Sequence, residues 1–515
     1  MVGAEILLRS LVAGGIDTCL GNPGTSEMQF IAALDRVPGM RSVLVLHEGV
    51  ATGAADGYAR MAGRPASTLM HLGPGLANGL CNLHNARRAR VPIVNIVGEH
   101  AAHHRMHDAP LHSDVEGIAR PFSAWLRTAR SAATLAQDCA EAIAAARTPP
   151  GRIATLLLPA DTAWTDGGDF APVAIEAAQP ERVPAAHVES IARHLRERRA
   201  SALMIGGEGL SYRGIAAAHA IAKVTGCRVF APMSNARMYR GWGCHPVARV
   251  PFDVDEATAF LAGLESVVLA GAVPPVAFFA YPDKPSLLAP PGCEITALAE
   301  PAHDVLAALE DLAMALGAKP VASPRKKPAS APESGQLTAQ ALAAIVARSL
   351  REDTIVIDES LSLGFTLYPA MAAAAPHEWL QMAGGATGEG LPLAVGAALA
   401  APRRKVLCLQ ADGSALYTCQ ALWTMAREGL DVTTVILSNR AYATLYGELA
   451  KVGARDPGRG ALDMIQLDRP AIGWPEIARG FGVPGERADD AAGFARALSR
   501  ALSAPGPNLV EAVIA

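Results

Sequence analysis

Leu407-Cys408-Leu409-Gln410 and Val435-Ile436-Leu437 are apolar runs that break into short polar residues, Ala411-Asp412-Gly413-Ser414 and Ser438-Asn439-Arg440-Ala441, with a helical pattern from Ala421 to Gly429 between them. Such runs read as buried strands, so the stretch is a strand, helix, strand unit. In open parallel sheets a ligand lies beyond the carboxyl ends of the strands, which sets Asp412 and Asn439, 27 positions apart, side by side. A carboxylate, an amide oxygen and a main-chain carbonyl are hard oxygen ligands suited to a Mg²⁺ ion that keeps phosphate oxygens in its remaining positions. Gly413 permits close approach of a diphosphate, and Ser414 offers a hydroxyl near the next helix. The competing reading is a plain Asp-Gly turn after a core strand.

At 515 residues the chain exceeds one hydrophobic core. Half of its residues are hydrophobic, yet no apolar run reaches the length of a membrane span. A net charge of −4 supplies no basic field for nucleic acid and no polybasic membrane patch. The eight cysteines form no CxxC pair and several sit in apolar runs, as buried reduced thiols do. The first residues open directly on a helical pattern, Ala4 to Gly14, without a leader-like segment, so a cytoplasmic location is expected.

Strand patterns at Cys19-Leu20, Val43 to Leu46, Ala66 to Leu69, Ile93 to Val97 and Ile153 to Leu158 alternate with helical ones. A second set follows at Ala202 to Ile205, Arg228 to Ala231, Ser266 to Leu269 and Glu294 to Ala297. Alternation of this kind predicts α/β architecture with three doubly wound domains, at 1–165, 166–316 and 337–515, joined by a proline- and lysine-containing linker at 317–336. Gly206-Gly207-Glu208-Gly209 follows a strand, as a dinucleotide loop would. It lacks the full GxGxxG, so a tight turn is preferred over FAD binding.

Asp-Gly-Ser followed by Asn439 resembles the cofactor signature of thiamin diphosphate enzymes, with Ala411 where the family usually has glycine. Gly21-Asn22-Pro23-Gly24-Thr25-Ser26-Glu27, Leu46-His47-Glu48-Gly49, Ala54-Ala55-Asp56-Gly57-Tyr58-Ala59-Arg60 and His71-Leu72-Gly73-Pro74-Gly75-Leu76-Ala77-Asn78 resemble, in the same order, the pyrimidine-binding domain of its decarboxylases and carboligases. The resemblance spans essentially the whole chain and is nearest to benzoylformate decarboxylase and to acetolactate synthase large subunits. It implies pyrimidine-binding, central and diphosphate-binding domains, thiamin diphosphate and Mg²⁺ as cofactors, a small 2-oxo acid as substrate, and a homodimer or homotetramer whose active sites are shared between subunits.

Residue by residue, the resemblance implies that Glu48 bonds a pyrimidine nitrogen and shares a proton with it, which favours the imino tautomer able to take the thiazolium proton. Thr25 and His71 match the catalytic serine and a catalytic histidine of benzoylformate decarboxylase, while Phe279 stands where its second histidine would fall. Pro23, Gly24, Asn78, Leu361, Ser362, Thr387, Gly413, Ser414 and Tyr442 would line the cofactor, and Asp412, Asn439 and the Ala441 carbonyl would hold the metal. Leu111, His112, Phe279 and Leu445 would face the substrate. Thr387 replaces a large apolar residue of the loop that bends the cofactor, and Glu389 replaces a frequent Phe. Leu111 replaces an acetolactate synthase glutamine, so an apolar wall favouring bulky or aromatic 2-oxo acids is expected. His103, His104, His107 and His112 read as solvated, as positive charge near a substrate carboxylate, or as metal ligands without a clean tetrahedral set. The expected reaction is decarboxylation of a 2-oxo acid with possible carboligation. Its rivals are acetolactate synthase proper and a catalytically poor cofactor-binding subunit.

Overall fold

The computed structural model describes residues 1–514. Six strands form the first sheet: β1 (Thr18–Gly21), β2 (Arg41–Leu44), β3 (Ala66–Met70), β4 (Ile93–Glu99), β5 (Trp125–Thr128) and β6 (Ile153–Pro159). All are parallel, in the order β2-β1-β3-β4-β6-β5. The order reverses between β1 and β3, which opens a crevice beyond Gly21 and Met70. The apolar runs that predict strands all overlap observed ones. The half-buried β5 escapes that reading, because its Trp-Leu-Arg-Thr has neither a clean alternation nor a continuous apolar run.

Next in the chain are β7 (Ser201–Ile205), β8 (Arg228–Ala231), β9 (Arg237–Arg240), β10 (Ala248–Arg249), β11 (Ser266–Ala270) and β12 (Glu294–Ala299). All but β9 make a parallel sheet in the order β10-β8-β7-β11-β12. The third sheet contains β13 (Thr354–Glu359), β14 (His377–Gln381), β15 (Val406–Ala411), β16 (Val432–Ser438), β17 (Gly485–Ala488) and β18 (Asn508–Val513). Its order is β17-β18-β16-β15-β13-β14-β9, and the edge strand β9 crosses over from the middle stretch of chain to pair antiparallel with β14. Arg237 on β9 grips Glu378 on β14 through two bonds of 2.9 and 2.8 Å. Here the order reverses between β13 and β15, so a second crevice lies beyond Glu359 and Ala411.

One buried cluster joins the first and third sheets. Val50, Ala51 and Ala54 of the Glu48–Ala62 helix pack with Leu391, Leu393 and Ala394 of the Gly390–Ala400 helix, between Met70 and Val97 on one side and Ile357 and Cys408 on the other. The second helix is buried from Gly390 to Leu399, as expected of a segment apolar on every face. No helix is long and apolar enough to cross a membrane among the described residues. All eight cysteines are free thiols.

Candidate functional site

The parallel pairing of β15 and β16 sets Ala411 opposite Leu437, so Asp412 and Asn439 leave the sheet in adjacent loops. Asp412, 2 % exposed, fastens those loops together. Its Oδ1 accepts from the Gly413 N–H at 2.8 Å and its Oδ2 from the Arg440 N–H at 2.6 Å. Burial raises the Asp412 pKa above the ordinary aspartate value, and the two N–H donors oppose that shift. Asn439 Oδ1 accepts from the Ala441 N–H at 3.1 Å, which presents the Ala441 backbone beside it. A side chain on Gly413 would meet the Tyr442 ring at 2.5 Å. Across the crevice, Asp358 at the end of β13 accepts from the Ser360 N–H at 3.1 Å and from its hydroxyl, and the chain then enters a short turn at Leu361–Leu363. A buried carboxylate, an amide oxygen, a main-chain carbonyl, hydroxyls and a glycine too crowded for a Cβ fit a divalent cation and a diphosphate.

The loop from Gly384 to Gly390 lies next to this crevice. Buried Glu359 accepts from the N–H groups of Gly388 and Gly390 at 2.7 and 2.5 Å. Asn85, on the Leu72–Ala89 helix, exchanges bonds with Ala386 of 2.7 and 3.1 Å. Half-buried Thr387 sits at the centre of the loop, and its carbonyl accepts from the Cys81 thiol at 3.6 Å. Glu389, in place of an apolar residue, is wholly buried and belongs to an ion cluster. The Arg60 guanidinium makes five bonds: to Asp56 at 2.6 and 2.7 Å, Glu389 at 2.9 Å, the Ala236 carbonyl at 2.9 Å and the Gln381 carbonyl at 2.6 Å. Burial opposes the charge on Arg60, but the Asp56 and Glu389 carboxylates outweigh it and hold its pKa above the usual arginine value. Glu389 itself is pushed well above the carboxylate range, by burial first, with Arg60 opposing. This residue pairing is invisible locally, since its members are 329 positions apart.

In the first crevice Glu48 opens its helix with the side chain 5 % exposed. Asn22 donates to Oε1 and Asn78 to Oε2, each at 3.0 Å, so two amides fix the carboxylate plane. His71 follows β3. Its Nδ1 lies 2.9 and 3.2 Å from the two oxygens of Glu27 and 3.0 Å from Ser26 Oγ. Glu27, 1 % exposed, also accepts from the Gly24 N–H at 2.7 Å and from the Ser26 hydroxyl. It packs so closely on β4 that a Cβ at Gly98 would lie 1.6 Å from its Oε1. Pro23 and Gly24 form the half-buried lip of this group. Thr25 is exposed and makes no side-chain hydrogen bond, so the hydroxyl that reaches His71 is that of Ser26. The signal for Glu27 was present as Gly-Thr-Ser-Glu, a helix-start pattern in which a third-position glutamate returns to cap the turn. Glu27 does so while also holding the histidine.

Backbone strain marks the same loops. Leu72, Leu361 and Arg440 adopt φ of 53°, 48° and 57°, conformations that bulky residues avoid. Each adjoins or coincides with a candidate residue, namely His71, Leu361 and Asn439.

Of the residues expected to face the substrate, Leu111, Phe279 and Leu445 are 42 %, 54 % and 43 % exposed. The Tyr281 hydroxyl donates to Glu448, and Lys451 pairs with Asp253 at 3.0 Å, which holds the segment containing Phe279 against the Thr444–Lys451 helix that carries Leu445. His112 lies 3.2 Å from Asp108. No set of three His, Cys, Asp or Glu side chains is arranged as a metal site among the described residues.

Two sheets whose crevices carry a buried carboxylate held by two amides and a hard-oxygen cluster fit a class of enzymes that grip a cofactor by a ring at one end and a metal-bound anion at the other. Residues 1–117 match the model of the thiamine pyrophosphate enzyme N-terminal TPP binding domain, and residues 363–512 that of the C-terminal TPP binding domain. The chain is 49 % identical, over 100 % of its length and 99 % of the relative's, to a Mycobacterium tuberculosis protein carrying the provisional name acetolactate synthase large subunit IlvX. It is 29 % identical to benzoylformate decarboxylase of Pseudomonas aeruginosa, covering 98 % of this chain and 97 % of that one. The fold superposes with a TM-score of 0.85 on the thiamine diphosphate-dependent 4-hydroxybenzoylformate decarboxylase of Rhodococcus jostii RHA1, at 25 % identity over 100 % of this chain and 99 % of the other. The chain belongs to the thiamine pyrophosphate enzyme family. Within it, the chain is a member of the decarboxylase and acetolactate synthase group.

Proposed function

We propose that the protein decarboxylates a 2-oxo acid to an aldehyde, with transfer of the acyl unit to a carbonyl acceptor as a side path. The net reaction takes up one proton and releases CO₂. Bound thiamin diphosphate supplies a carbon nucleophile and a sink for the electron pair released with CO₂. Asp412, Asn439 and the Ala441 carbonyl would hold Mg²⁺, while Leu361, Ser362, Gly413 and Ser414 would line the diphosphate. Pro23, Gly24, Asn78, Thr387 and Tyr442 would surround the rings. Glu48, oriented by Asn22 and Asn78, would share a proton with the pyrimidine.

The observation that carries the reading is the bonding of His71 Nδ1 to buried Glu27 at 2.9 Å. It leaves Nε2 as the atom that delivers the product proton, with Glu27 steadying the charged ring. Supporting a shared site in a homodimer or homotetramer, Leu111, Phe279 and Leu445 are exposed apolar side chains of the kind a partner subunit covers. A fully active monomer by light scattering would remove that part of the reading.

The functional test is CO₂ release from a panel of 2-oxo acids, with products identified. Aldehyde as the main product supports decarboxylation. The second reading, acetolactate synthase, is favoured by the name of the 49 % identical relative. Pyruvate as the best substrate, with acetolactate as the main product, would put it first.

A further inference from the structure

The loop from Glu99 to Asp114 leaves β4 and ends at the Val115–Ala119 helix. Both its ends abut the His71 group. At the start, Glu27 presses on Gly98; at the close, Ser113 Oγ occupies the space of a Cβ on Gly73, 2.0 Å away and two residues beyond His71. Both ends of the loop therefore stand beside the crevice in which His71 lies.

Six of its sixteen residues are basic: His100, His103, His104, Arg105, His107 and His112. Imidazole rings form a row, with His100 to His104 at 5.7 Å, His100 to His112 at 6.2 Å and His104 to His107 at 5.8 Å between centroids. His100, at the strand end, stands within this row between His104 and His112. Three donors here are buried without a partner: His100 Nε2, Arg105 Nε and Ser113 Oγ. The guanidinium of half-buried Arg105 makes no hydrogen bond and no ion pair among the described residues.

The nearby acids are engaged elsewhere. Glu99 accepts from the His100 N–H at 2.7 Å, Asp108 lies 3.2 Å from His112, Asp114 accepts from the Gly117 N–H at 2.8 Å, and Asp161 accepts twice from the Ala102 N–H at 3.1 Å. Buried polar atoms are almost always bonded, and a guanidinium fork without an acid is built to take a carboxylate. Leu111, in the same loop, adds an exposed apolar side chain.

We infer that this loop binds a second acidic group on the substrate, so that the preferred 2-oxo acid carries a distal carboxylate on an apolar spacer. The inference rests on the 2-oxo acid reading above and narrows it. Arg105 takes the distal carboxylate, and the imidazole row from His100 surrounds it with further donors.

The test compares 2-oxoglutarate and 2-oxoadipate with the chain-matched monoacids 2-oxopentanoate and 2-oxohexanoate, using the cofactor-loaded protein. The diacids are expected to have the higher kcat/KM, and Arg105→Gln to lower the diacid-to-monoacid ratio about 10- to 100-fold, as loss of a bond to a charged group does. Arg105→Lys should recover part of that ratio. Exposed His104→Gln, which cannot upset the core, should lower it in the same direction. An equal loss for both acid classes means that Arg105 touches the 2-oxo acid's own carboxylate, and overturns the inference. So does a monoacid preference in the unaltered protein. Calorimetry with glutarate, against pentanoate as control, reads the site without turnover. If no acid yields CO₂ but glutarate binds and Arg105→Gln abolishes it, the reaction assignment fails and the anion site stands; if glutarate does not bind, the site falls.

Discussion

Replacing Glu27 by Gln probes the group on which the proposed proton delivery depends. Two carboxylate oxygens lie 2.9 and 3.2 Å from His71 Nδ1 in a pocket where Glu27 is 1 % exposed. A hydrogen bond to a charged group contributes about 1.5–3 kcal/mol. At about 1.4 kcal/mol per factor of ten, its loss costs roughly 10- to 150-fold in the stability of the charged ring. The amide adds a second effect. Its NH₂ group can turn toward Nδ1 and force the proton onto Nε2, the atom that must exchange it. Together these place the fall in kcat at roughly 10² to 10⁴, the usual range for a disabled acid–base group. Because Glu27 acts through His71 and does not touch the substrate, KM should change little while kcat falls. Steady-state kinetics, with thermal melting to confirm folding, make the measurement. A Glu27→Gln protein that folds normally and keeps its kcat would refute the argument.

Asp412→Ala should abolish Mg²⁺-dependent binding of thiamin diphosphate in calorimetry, and chelator should do the same to the unaltered protein, since phosphate cannot be held by carboxylates once the cation is gone. Because burial raises the Asp412 pKa, metal affinity should begin to fall, as pH is lowered, above the ordinary aspartate range; affinity flat down to pH 4 would contradict this. Glu48→Gln should keep most cofactor affinity and lose about 10² to 10⁴ in rate, with slower exchange of the thiazolium proton by NMR; unchanged exchange would remove its role. Arg60→Met should destabilise the fold by about 3–5 kcal/mol in denaturant, because it strands buried Asp56 and Glu389. A carboxyl whose folded pKa is raised stabilises below its unfolded value and loses that contribution as pH rises through the folded one, so Glu389→Gln should flatten the fall in stability as pH is raised above the ordinary carboxylate range; an identical pH–stability curve would exclude Glu389 as its source.

What the sequence by itself determined is the part governed by short-range periodicity. Buried strands betray themselves by short apolar runs, and a parallel sheet delivers their polar endings to one edge, so the neighbourhood of Asp412 and Asn439 was legible from the spacing alone. Glu48 was legible only through the resemblance of the segments around it to a family pattern, since a glutamate at the start of a helix after a strand otherwise reads as a solvated cap. The tertiary structure alone decided which side chains face each other across strands and domains. Glu27 and His71 are 44 positions apart and meet because the strand order reverses between β1 and β3. Glu389, which reads locally as a charge out of place in an apolar helix start, finds Arg60 only when two helices from opposite ends of the chain pack into one core. Strand β9 carries no local mark that it will leave its neighbours for the edge of another sheet. In each case the deciding energy is a contact between distant residues, and that depends on the whole topology, while a sequence window reports only the backbone preferences and burial pattern of the residues within it.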